Sequence, residues 1–203
     1  MVALVAVNLW LYKKHQATEK VLNYQVQVAH WRQEKLNHLL KTKGSPLREM
    51  QIFGGLRFYP ISLENRVKAR FEPRIDTSTI LRTNRKSKVR LTWIGTFQFT
   101  AQNKVCSLRA YTIPWDSTAH QYLLVPFRDS TNGKGSSIFG RYLDVKLEPD
   151  STAWLDFNLA YNAYSLYNPW YISPKAPKIN YLPLWIEAGE RTYKMPDEPV
   201  RKE

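Results

Sequence analysis

The chain has 203 residues, enough for one full hydrophobic core and too few for two complete domains. With 43% hydrophobic, 13% aromatic and 23% charged residues it has too much to bury for a disordered chain, and it lacks the repeated apolar runs of a polytopic membrane protein. The net charge of +13 is one-sided: residues 13–90 hold 18 Lys and Arg against 6 Asp and Glu, whereas residues 91–203 hold 12 against 11.

A field of that sign attracts anionic lipid headgroups, nucleic acid or an acidic protein, unless it is only a solvated basic face. Residues 2–12 form an apolar run of 11, which as a helix reaches roughly 16 Å against a hydrocarbon core of about 30 Å. Trp10 and Tyr12 are the residue types of a membrane interface, and Lys13 and Lys14 can snorkel, so these four are the candidate docking residues. Three readings stay open for residues 1–14: a short membrane anchor or a helix docked on a membrane subunit, the remnant of a targeting segment, or a buried terminal helix.

Residues 18–43 contain no Gly or Pro, and Gly44 and Pro46 supply a stop, so residues 15–44 are read as a basic amphipathic helix. Its apolar stripe is Val21, Tyr24, Val28, Trp31, Leu36, Leu39 and Leu40; Arg32 and Lys35 are among its charges. His15, His30 and His38 lack metal-ligand spacing and are read as surface or packing residues.

Residues 45–192 are predicted to form a single β-rich domain, with 53–60 as its entry turn and 193–203 as a frayed tail. Strands are expected over 66–71, 78–82, 89–100, 105–113, 122–127, 142–147 and 153–157, separated by turn clusters such as Thr83-Asn84-Arg85 and Gln102-Asn103-Lys104. Short strands with hairpin-length connections and no helical crossovers argue for an antiparallel β-sandwich or a partly open β-barrel. From Asp156 the pattern becomes a Pro- and aromatic-rich strap that must lie on the body, with 185–187 as a last strand. Cys106, the one cysteine, excludes an internal disulfide and is read as a small core residue.

Several segments in the second half carry a resemblance: 127–133 (Phe-Arg-Asp-Ser-Thr-Asn-Gly), 140–144 (Gly-Arg-Tyr-Leu-Asp), 156–162 (Asp-Phe-Asn-Leu-Ala-Tyr-Asn), 180–182 and 187–190. In consistent order they resemble the domain of unknown function 1684 family, over about residues 25–192, and 45–47 with 53–60 match its short, Bacteroidetes-type form. The resemblance implies no established activity; family members commonly carry signal or lipoprotein leaders, which implies an extracytoplasmic, periplasmic-side body in a bacterial cell. Where the family usually has two cysteines this chain has Ser165 and Ser173, and Ser137-Ile138-Phe139 replaces a family Thr-Tyr-Gly.

The candidate constellation is Asp129, Arg141, Asp156, Asn158, Asn162, Asn180 and Glu190. Paired carboxylates beside an Arg suit acid–base work, and the same groups suit bonding to the unpaired backbone of an irregular strap; the second reading is preferred. Gly133-Lys134-Gly135-Ser136-Ser137 lacks phosphate-loop spacing and reads as a flexible loop, and His120 stands without an obvious partner. The expectation is a non-catalytic, membrane-associated accessory subunit with protein partners in a membrane complex, without cofactor or metal. The alternatives are a small-ligand-binding barrel or enzyme using the Asp/Asn cluster, and a nucleic-acid-binding domain in which Arg82, Arg85, Lys86, Lys88 and Arg90 flank Trp93 and Phe97.

Overall fold

A computed structural model describes residues 2–48, 54–113 and 122–193. Phe53 of the predicted entry turn, His120 and the tail from Pro196 lie outside the described residues.

The predicted leader and helix are one element, α1 (Val2–Lys41). Nothing between Tyr12 and Thr18 breaks it: Lys13-Lys14-His15-Gln16-Ala17 contains no Gly or Pro. Exposed pairs at i,i+4, His15 to Glu19 at 3.4 Å and His30 to Glu34 at 3.3 Å, line its surface. Gly44 takes φ +79° just beyond its end, a left-handed stop that a β-carbon would strain. No helix among the described residues is long and apolar enough to cross a membrane.

Six strands follow among the described residues: β1 (Arg66–Arg82), β2 (Lys88–Ala101), β3 (Lys104–Thr112), β4 (Leu123–Phe127), β5 (Arg141–Val145) and β6 (Thr152–Asp156). They form one antiparallel sheet in the order β5-β4-β3-β2-β1-β6. The edge strands β5 and β6 approach each other, so the sheet is curled into a partly open barrel rather than split into a sandwich. The two strands predicted on either side of Pro73 are one: the register against β2 jumps from Pro73–Gly95 to Thr77–Trp93, and this bulge absorbs the proline without ending the strand. Gly95 is obligatory there, since a β-carbon would sit 2.3 Å from the Phe71 ring and 2.6 Å from the Glu72 carbonyl.

One face of the sheet is filled by Phe71, Phe97, Phe99, Leu108, Val125, Phe127, Leu143 and Leu155. Leu182, Leu184, Ile186 and Ala188 of the strap close that core from the other side. The strap is therefore extended with every second residue buried from 182 to 188, yet 185–187 form no strand, because the segment's carbonyls are met by a side chain. It begins with a 3-10 turn (Phe157–Leu159) and the one-turn helix α2 (Tyr164–Tyr167). Cys106 is buried and free, and burial pushes its thiol pKa up.

Candidate functional site

Arg141 opens β5 and is wholly buried, at 0% exposure. An isolated guanidinium in that position would cost several kcal/mol of lost hydration, so its partners decide whether the body folds. Nη2 donates to Asp129 Oδ2 at 2.6 Å and to the Ile186 carbonyl at 3.0 Å; Nη1 donates to the carbonyls of Ala188 and of Glu190, the latter at 3.3 Å. The Ile186 and Ala188 carbonyls are alternate groups of an extended chain, that of Glu190 follows Gly189 at φ +70°, and Arg141 takes the place of the missing neighbouring strand. Asp129 is held from its other side by the Thr131 amide at 2.7 Å and the Thr131 hydroxyl at 2.5 Å.

Glu190, also buried, accepts from the Asn162 amide at 2.7 Å and from the Tyr167 hydroxyl. Burial and the Glu190 carboxylate raise the Tyr167 pKa well above its ordinary value of 10.0, so the phenol stays a donor. Asn162 Nδ2 returns to the Arg191 carbonyl at 2.8 Å. Asn180 works at the other end of the strap: Oδ1 accepts from the Arg109 amide at 2.8 Å, while Nδ2 donates to the Arg109 and Pro126 carbonyls at 2.9 and 2.7 Å. Its carboxamide is a rung between β3 and β4, which pair along the backbone at Tyr111–Leu124.

Asp156 and Asn158 dock the helix. The Tyr24 hydroxyl donates to Asp156 at 2.8 Å and accepts from Asn158 Nδ2 at 2.7 Å, and the same carboxamide spans the Ser62 amide and carbonyl at 3.0 and 2.8 Å. Burial, then the Asp156 charge, raises the Tyr24 pKa. Arg32 donates to the carbonyls of Tyr59 and Asn158 at 3.1 and 3.2 Å with its guanidinium over the Phe58 ring. Lys35 lies 3.4 Å from the Tyr161 ring centre, and burial lowers its pKa to about 8. Tyr24, Val28, Lys35 and Leu39 thus define the docked face; a lysine on an apolar stripe was the signal in the sequence that this helix docks onto charge as well as core.

The predicted docking residues point elsewhere. Every side chain from residue 5 to residue 23 is exposed, Trp10, Tyr12, Lys13 and Lys14 among them, which removes the reading of a buried terminal helix. The loop at 133–137 is pinned rather than flexible: Gly133 N donates to the Ser136 carbonyl at 3.0 Å, Gly135 N and Ser136 N to that of Thr131, and Ser136 and Ser137 are buried. Phe97 lies in the core at 0% exposure, and Trp93 is held between the guanidinium groups of Arg74 and Arg109, 3.8 and 3.6 Å from its ring centre. Neither aromatic therefore offers an open face to a base.

All seven constellation residues bind backbone or one another, and none presents a carboxylate to a cleft in the way acid–base chemistry requires. Among the described residues no group of three or more His, Cys, Asp and Glu is placed to hold a metal ion. The chain belongs to the family of proteins of unknown function DUF1684, whose model matches residues 51–191, the β body with its strap. It is also similar to the solution NMR structure of an uncharacterized protein from Haloarcula marismortui, at 31% identity over 84% of this chain and 95% of the other, with a TM-score of 0.65. No curated protein matches the chain.

Proposed function

We propose that this family member is a non-catalytic accessory subunit, docked to a membrane complex by the N-terminal part of α1 and using the β body as a rigid interaction module. The observation that carries the reading is the uncovered apolar run: Val5, Val7, Leu9, Trp10, Leu11 and Tyr12 are between 49% and 64% exposed on a helix whose later turns are docked on the body. Apolar surface of that kind is stabilised by a lipid interface or by an apolar partner helix. Lys13, Lys14 and Lys20 follow it, as expected of a segment that stops at anionic headgroups. Ser165 and Ser173, standing where the resemblance places two cysteines, and the donors of the chain that hold the Asp129 and Glu190 carboxylates, support a scaffold rather than an enzyme. The family's habit of leaders supports a body on the extracytoplasmic side.

The test is fractionation of cells producing the full chain or a chain lacking residues 1–14. Release of the truncated protein from the membrane fraction, with its far-ultraviolet circular dichroism otherwise retained, is the expected result. Identical fractionation of the two chains would refute the docking role.

A further inference from the structure

A second feature lies away from the constellation, where the C-terminal end of β1, the residues after β4, the loop before β5 and the strap meet. They enclose a cleft of about 580 Å³. Lys175 N donates to the Arg82 carbonyl at 2.7 Å and Ala176 N to the Phe139 carbonyl at 3.1 Å, tying three of these segments together. Gly140, at φ +97°, makes the closeness achievable: a β-carbon there would lie 2.5 Å from the Phe127 carbonyl, 2.7 Å from Ala176 and 3.1 Å from the Arg128 side chain.

Four cations line the cleft, Arg82, Arg128, Lys175 and Lys178, and among the described residues no carboxylate does. None of the four is in an ion pair among the described residues. Arg128 Nε is buried and, like Arg32 Nε and Arg141 Nε, meets no acceptor among the described residues, so it is a donor still available to an anion in the cleft. Like charges gathered from separate segments repel one another unless an anion joins them. The remaining wall is apolar: Ile138 is 58% exposed at the rim, and the Phe139 ring lies 4.5 Å from the Lys175 ammonium.

We propose that this cleft binds a phosphate ester, with the phosphate among the four cations and the organic part against Ile138 and Phe139. A phosphate group offers three acceptor oxygens and up to two negative charges, which suits donors converging from several directions. The volume lies within the usual range for small-molecule sites, about 300–1,000 Å³. The site uses none of the seven constellation residues and does not depend on how α1 is anchored.

Titration calorimetry of the full chain in low salt with ADP, dihexanoyl phosphatidic acid below its micellar concentration, and inorganic phosphate tests the site. At least one ester should bind more tightly than inorganic phosphate, weakening at least tenfold in Arg128→Gln and severalfold in the doubly substituted Arg82→Gln/Lys178→Gln chain. Binding of ADP alone points to a nucleotide source, of the phosphatidate alone to a lipid source, and of both to recognition of the shared phosphate ester. Arg82 and Lys178 are exposed, so the double variant carries the test if Arg128→Gln does not fold. No ester bound above inorganic phosphate, or ester affinity unchanged in the variants, would overturn the proposal.

Discussion

The guanidinium of Arg141 and the carboxylate of Asp129 meet at 2.6 Å with neither side chain exposed to solvent. Removing one member leaves the other charged and buried, so Asp129→Ala should destabilise the body by about 3–5 kcal/mol, read from the urea midpoint. Arg141→Met should also free the carbonyls of Ile186, Ala188 and Glu190, and amide exchange across the strap should quicken. A loss below about 1 kcal/mol in both variants would contradict the strand-substitute role.

Helix docking rests on the Tyr24–Asp156–Asn158 knot. Tyr24→Phe removes a bond to a charged group, for which a loss of about 1.5–3 kcal/mol is expected. Asp156→Ala with Asn158→Ala should cost more, since Asn158 also holds the Ser62 backbone. A stable double variant would point instead to a binding role for the pair. Limited proteolysis of α1, monitored by mass spectrometry, measures the local release.

Between about pH 8 and pH 10 the docked helix should become more stable as pH rises. Lys35 is charged in both folded and unfolded chains below about 8, so its burial cost is fully present there; above that value the folded chain sheds the proton before the unfolded one, whose lysine holds it to about 10.5. Above pH 10 the sign reverses, because Tyr24, Tyr142, Tyr161 and Tyr167 are kept neutral by burial while their unfolded counterparts ionise. Thermal midpoints across that range should rise and then fall, and Lys35→Met should abolish the rise alone.

Ser165 and Ser173 stand where the resemblance places the family's cysteines, and the Ser165 amide donates to Ser173 Oγ at 3.2 Å. Ser165→Cys with Ser173→Cys should therefore oxidise to a disulfide, detectable as the loss of two free thiols. For so short a loop the chain-entropy gain is about 2–3 kcal/mol, and the midpoint should fall again on reduction. Two thiols that persist under oxidant would show that the segment does not accept the bridge.

Much of the architecture was legible because it is written in local pattern. Alternation and turn clusters placed all six strands, Gly44 placed the end of α1, and the crowded prolines and aromatics after Asp156 required a strap lying on the body. The errors have particular causes. Two strands are expected over 66–71 and 78–82, but a bulge carries β1 through the gap past Pro73; the apolar run at 2–12 and the helix after it are one element, because no breaker divides them. The alternating segment 185–187 reads as a strand, but the groups that meet its carbonyls belong to a side chain some 45 residues earlier.

Composition and periodicity by themselves determined a single basic-ended, β-rich body with an apolar helical lead-in, because hydrophobic spacing and turn chemistry act over a few residues. Only the tertiary structure decided that Asp129, Arg141 and Glu190 hold the strap from within, and that Arg82, Arg128, Lys175 and Lys178 converge on one cleft. Those outcomes depend on which distant backbone groups and charges become neighbours once the sheet curls, and no local window of sequence contains that proximity.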